Sequence, residues 1–149
     1  MKLINLKPPQ AALLLLALSV GLHFLIPRAY RGDFARPVYG VAVAGIGFGL
    51  MMWAWWCFRQ SGTPIRPTDR AVSLVISGPF RFSRNPMYLG ILMMLLGVAL
   101  WVGSLPMLIA PLGFLLLMSL VFIPYEEGRL RELFGEAYNA YSARVRRWL

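Results

Sequence analysis

MYLGILMMLLGVALWVGSLPMLIAPLGFLLLMSLVFI, residues 87–123, carries no charged side chain. A helix crosses about 30 Å of hydrocarbon with about 20 apolar residues, so this stretch is long enough to cross twice. Gly103-Ser104-Leu105-Pro106 splits it into arms of residues 87–102 and 105–123, a join that permits only a tight antiparallel hairpin. The chain therefore returns to the face it left. Whatever precedes Met87 must end near whatever follows Ile123. Pro106 suits a helix start, and Pro111 in the first turns of the second arm predicts a bend.

Both flanks of the hairpin are polar. Before it runs Ser77-Gly78-Pro79-Phe80-Arg81-Phe82-Ser83-Arg84-Asn85-Pro86, and after it come Tyr125-Glu126-Glu127. A chain that only sits in a bilayer has no need of paired carboxylates and an arginine-aromatic loop at the same end of one hairpin. Gly78-Pro79, Asn85-Pro86 and Gly90 specify a particular backbone path, more than membrane anchoring requires.

Composition sets the class. With 58% apolar and 14% charged residues the chain lies outside the soluble range of roughly 45–50% and 25%. Its 149 residues allow one domain. Two more apolar runs, residues 9–26 and 38–58, precede the hairpin, giving four expected transmembrane helices in an all-α, polytopic membrane protein. Lys2 and Lys7 ahead of the leucine-rich run, with small residues near Ala17-Leu18-Ser19, resemble a secretory signal. Because the apolar stretch continues to Ile26, a first span is the better reading.

The net charge of +9 does not point to nucleic acid here, because in so apolar a chain the basic residues report orientation. With four spans, alternate sides hold twelve and three of the 15 Lys and Arg residues. The positive-inside tendency then predicts both termini and the long middle loop in the cytoplasm, as in a bacterial or archaeal inner membrane. Both polar clusters share that side. Residues 61–84 read as an ordered cytoplasmic loop with a β-prone piece at 71–76. From Tyr125 on, Leu130, Leu133, Phe134, Ala137, Tyr138, Tyr141, Val145 and Trp148 recur at helical spacing. They predict an amphipathic C-terminal helix that lies on the membrane surface or folds back over the site, kinked at Gly135.

Several features have plain structural readings. Glu126 and Glu127 complement a helix N-terminus, Arg81 and Arg84 anchor at the interface, and Phe80, Phe82 and Tyr88 are interfacial aromatics. Gly45, Gly47 and Gly49 lack the strand-to-helix context of a dinucleotide site and read as close helix packing. Cys57 is the single cysteine and reads as packing, and His23, with no acidic or thiol partner nearby in sequence, as structural rather than metal-binding. No serine, cysteine or histidine constellation suggests a catalytic nucleophile, the catalytic base is left unassigned, and no metal site is expected.

The polar flanks nonetheless resemble the integral-membrane methyltransferases typified by isoprenylcysteine carboxyl methyltransferase, with phospholipid N-methyltransferases as relatives. The likeness rests on Ser77-Gly78-Pro79-Phe80, on Arg84-Asn85-Pro86-Met87-Tyr88-Leu89-Gly90, and on Glu126-Glu127 followed by Leu130, Phe134-Gly135, Tyr138 and Tyr141. It spans residues 62–147. The resemblance implies S-adenosylmethionine held at the cytoplasmic face by Val72, Ser73, Leu74, Val75, Phe80, Asn85, Pro86, Met87, Tyr88 and Glu126. Arg81, Glu127 and Tyr138 are polar candidates near a lipophilic acceptor drawn from the bilayer. Asn85 stands where that family often has His, and Phe122 where the prenylcysteine enzymes have a substrate-associated arginine. A nicotinamide-dependent membrane reductase of the sterol reductase type, or a small membrane scaffold or transporter subunit, are the alternatives.

Overall fold

The computed structural model describes residues 7–30, 32–61 and 73–149. Among these the regular structure is entirely helical: α1 (Pro8–Leu25), α2 (Pro37–Gln60), α3 (Pro86–Val102), α4 (Ile109–Leu117) and α5 (Ile123–Arg144). Prolines open α1, α2 and α3, where the missing N–H costs nothing. Short 3-10 turns lie at Arg28–Tyr30, Gly78–Arg81 and Leu105–Leu108. Residues 73–76, the described part of the expected β-prone piece, are irregular rather than strand. The rest of that piece lies outside the described residues.

Three helical runs among the described residues are long and apolar enough to cross a membrane, and α3 is a shorter apolar helix. At about 1.5 Å per residue its 17 residues reach about 25 Å, the lower limit for a span. The third long run, Leu105–Arg144, is continuous over 40 residues. The fourth expected span and the C-terminal helix are thus one rod, α4 passing into α5 through a π-helical turn at Met118–Phe122. No residue in residues 118–126 ends the helix. Pro124 sits in the first turn of α5, next to the looser π turn, which spares part of the cost of its missing donor.

The hairpin closes as its sequence predicts. Gly103 caps α3 in the left-handed conformation (φ 71°), and a Cβ there would lie 2.2 Å from the Ala35 backbone. The strand-like approach to α2 satisfies the end of α3: Phe34 N–H donates to the Gly103 carbonyl (3.0 Å) and Arg36 N–H to that of Leu100 (2.8 Å). His23 Nδ1 lies 2.7 Å from Ser104 Oγ, tying α1 to the same turn.

Glycine sets the closest helix pair. A Cβ on Gly47 would lie 2.6 Å from the Gly90 carbonyl oxygen, and one on Gly40 2.6 Å from that of Gly97, with the reciprocal contacts equally close. Two glycines seven residues apart on α2 therefore meet two glycines seven apart on α3, antiparallel, at backbone contact. Of the Gly45, Gly47, Gly49 run only Gly47 packs this way; the other two face open space. The main core lies on the other side of α3, where Ala11, Ala12, Leu95, Ala110, Phe114, Met118 and Ile123 are buried together.

Candidate active site

The end of the bundle opposite Gly103 holds both polar flanks. Pro86 starts α3, so Tyr88 emerges in its first turn, and the rod brings Glu126 back to the same level. The Tyr88 hydroxyl donates to Glu126 Oε1 at 2.5 Å, a short bond across 38 residues of chain. The Tyr88 ring is held edge-on against Phe114, centroids 6.4 Å apart. Glu126 makes no other hydrogen bond among the described residues, so its Oε2 remains available as an acceptor.

Glu127 points into a different environment. It is 4% exposed and meets three guanidinium groups: Arg147 in a two-pronged contact (Nε to Oε1 3.0 Å, Nη2 to Oε2 2.8 Å), Arg84 at 3.2 Å and Arg131 at 3.7 Å. A buried carboxylate needs such partners to offset its lost hydration. The hydrogen bond to Glu127 raises the Arg147 pKa. Arg84 also donates through Nη1 to the Tyr138 hydroxyl (3.3 Å), while its Nε is buried with no hydrogen-bond acceptor among the described residues.

The C-terminal half of α5 folds back over the loop. Gly135 adopts φ 49°, ψ −121°, a backbone open to glycine, and breaks the rod at the kink its sequence predicts. Beyond it Tyr138 and Tyr141 are buried, and the Tyr141 hydroxyl donates to the Phe80 carbonyl at 2.7 Å. Val75 and Phe80 pack with Ala54, Cys57, Phe58 and Met87 against the end of α2, the Phe58 and Phe80 rings meeting at 5.2 Å. Cys57 serves packing: its sulfur presses on Gly78, whose φ of 59° brings its backbone in close.

The residues expected around a cofactor thus fall into two groups. Tyr88 and Glu126 bond each other, buried Pro86 opens the helix that carries Tyr88 and Asn85 bonds the Arg147 carbonyl, while Val75, Phe80 and Met87 form an apolar corner, with Leu74 half-buried. Ser73 is exposed, its hydroxyl 3.4 Å from the Ser61 carbonyl, and Val72 lies outside the described residues. Arg81 is exposed and takes no part in the Glu127 cluster; Arg84 takes that place.

Sequence reasoning missed the tail. The expected amphipathic helix runs through Val145 and Trp148, but α5 stops at Arg144 and Val145 turns extended (φ −118°, ψ 131°). The carbonyls of Arg146 and Arg147 then accept from Arg84 N–H (2.9 Å), Asn85 Nδ2 (3.0 Å) and Ser83 Oγ (3.3 Å). Three donors from residues 83–85 thereby satisfy two backbone carbonyls of the tail. A buried glutamate among basic neighbours was the one signal that could have pointed to Arg147.

The family model for phospholipid methyltransferases matches residues 35–137. An uncharacterized protein of Haemophilus influenzae is 38% identical over 63 residues, 42% of this chain and the whole of that protein. No solved structure matches. The family match covers α2, α3, the hairpin and the rod as far as Ala137, and so includes Tyr88, Glu126 and Glu127.

Proposed function

Since the chain belongs to the phospholipid methyltransferase family, we propose that it transfers a methyl group from S-adenosylmethionine to a lipophilic acceptor that enters from the bilayer. The observation that carries this reading is the Tyr88–Glu126 hydrogen bond, which joins the two ends of the hairpin at a carboxylate with a spare oxygen.

The residues suit such a donor. Glu126 can accept from hydroxyl or ammonium groups through Oε2 and offers negative charge to a sulfonium. Val75, Phe80 and Met87 offer apolar surface to a purine. Bound there, S-adenosylmethionine would supply a methyl group already activated by its positive sulfur. The chain's own task is then alignment and exclusion of water. Tyr88 fixes the Glu126 carboxylate, Asn85 presents its amide at the start of α3, and buried Phe80, its ring against Phe58 and its carbonyl held by Tyr141, closes one side against solvent.

No residue is assigned as a catalytic base. A carboxylate acceptor needs none, whereas an amine or phenol must lose a proton. Glu127 is committed to arginines and serves to fold the site, and Tyr138, accepting from Arg84, belongs to the same framework. Arg81, exposed at the rim, is placed to meet an anionic headgroup instead. Twelve basic residues on the sides that carry the site, against three, argue for a cytoplasmic location with both termini on that side.

The test is equilibrium binding of S-adenosylhomocysteine to the detergent-purified full chain, before and after Glu126→Ala. Loss of hydrogen bonds to a charged group, about 1.5–3 kcal/mol, corresponds to roughly tenfold to a hundredfold weaker binding. Equal affinity in the two proteins overturns the assignment.

A further inference from the structure

The last five residues touch three separate parts of the molecule. Arg146 and Arg147 accept backbone and side-chain donors from the Ser83-Arg84-Asn85 loop. The Arg147 guanidinium grips both oxygens of Glu127 on α5. Trp148 packs against the main core, and its Nε1–H donates to Ser119 Oγ (3.2 Å) in the π-helical turn. A π turn leaves its backbone irregular, and here it carries a side chain that a passing indole can bond. A tail that only ended the chain would fray; this one links the entrance of α3 to both halves of the rod.

We propose that residues 145–149 form a clasp and that Arg147 is a positioning residue for the methyl-donor site. The inference rests on the reading of that site given above. Arg147 acts through two neighbours. Its carbonyl fixes the Asn85 amide by accepting from Nδ2, and its guanidinium fixes Glu127, the residue adjoining Glu126. With the clasp gone, Asn85 turns freely and Arg84 loses a backbone partner, while the glycine contacts between α2 and α3 are untouched. The effect therefore falls on donor affinity more than on the fold. These contacts exist before any chemistry, so their loss weakens ground-state and transition-state binding alike.

The experiment compares the full chain with Arg147→Ala, Arg147→Lys and, as a control at the exposed end of α5, Arg144→Ala. Three readouts apply: S-adenosylhomocysteine affinity, hydrogen exchange at the Arg84 amide in the ligand-free protein, and the thermal midpoint in detergent. Arg147→Ala is expected to weaken binding about tenfold and speed the amide exchange by a similar factor. Its midpoint should fall by only a few degrees. Arg147→Lys, which keeps the charge but loses the two-pronged grip, should fall between, and Arg144→Ala should match the parent. Unchanged affinity in Arg147→Ala overturns the proposal, whether or not the amide exchanges faster. If the parent itself fails to bind, the methyl-donor reading falls, and slow exchange at Arg84 in Arg147→Ala would then sink the clasp as well. Should Arg147→Ala not fold, Trp148→Phe, which removes the bond to Ser119 and trims the packing on the main core, takes its place with the same expected order of effects.

Discussion

Two adjacent carboxylates with identical chemistry have separate work because the helix turns by 100° between them. Glu127 faces the arginines and is nine-tenths enclosed, whereas Glu126 faces Tyr88. Glu127→Gln would leave Arg84, itself mostly enclosed, without its counter-charge. Removing one partner of a buried pair costs about 3–5 kcal/mol, so a large drop in thermal midpoint is expected in detergent. Glu126→Ala should instead leave the midpoint within a few degrees and weaken S-adenosylhomocysteine binding roughly tenfold to a hundredfold. A reversed pattern, with Glu126 carrying stability and Glu127 carrying affinity, would show that the two roles have been exchanged. At Gly135 the open space around the α-carbon means that conformation alone demands glycine. Gly135→Ala should cost about 1–3 kcal/mol, read as a lower midpoint together with loss of the Tyr141 to Phe80 contact.

At the level of elements, the α2–α3 pair is the tightest feature and the easiest to challenge. A side chain on Gly90 or Gly97 would have to push a backbone aside. Gly90→Val should therefore destabilise by about 1–3 kcal/mol or prevent folding, while Gly45→Ala and Gly49→Ala should be neutral. Equal tolerance at all three positions would contradict the packing. Much of this level was legible in the sequence. The charge-free run at residues 87–123, its four-residue join and the left-handed glycine at its turn determine the hairpin, because no other path satisfies the backbone of so short a connection in lipid. Gly47 as a packing residue was legible too, but not its partners, since which glycine meets which depends on register between helices. The passage of the helix from α4 through Pro124 to the Gly135 kink was not legible: Pro124 looks like a boundary, and the π turn before it lets the helix continue. The tail was least legible of all. Helical spacing continues through Val145 and Trp148, and nothing local says that donors on residues 83–85 will compete for those carbonyls.

For the whole molecule, the hairpin gives one end where chemistry-bearing residues gather and an opposite end occupied by Gly103, Ser104 and His23. The uneven distribution of basic residues predicts which end faces the cytoplasm. In a Cys57→Ser background, Leu105→Cys should react with an impermeant maleimide on intact cells, and Ala143→Cys only after permeabilisation. Both positions are exposed, so reaction of both from outside would contradict the hairpin. Placing the site at the inner surface gives it access to water-soluble donors on one side and to lipid on the other, since α3 and the rod present bare apolar faces to the bilayer, with Leu112, Leu116 and Leu120 all more than half exposed. The most direct measurement is transfer of labelled methyl from S-adenosylmethionine into a native lipid extract, with the full chain reconstituted in vesicles. Label should appear in a product soluble in organic solvent, in proportion to the protein, and should fall at least roughly tenfold with Glu126→Ala when the donor is below saturation. Saturable binding of NADPH with no labelled product from any lipid fraction would contradict the account.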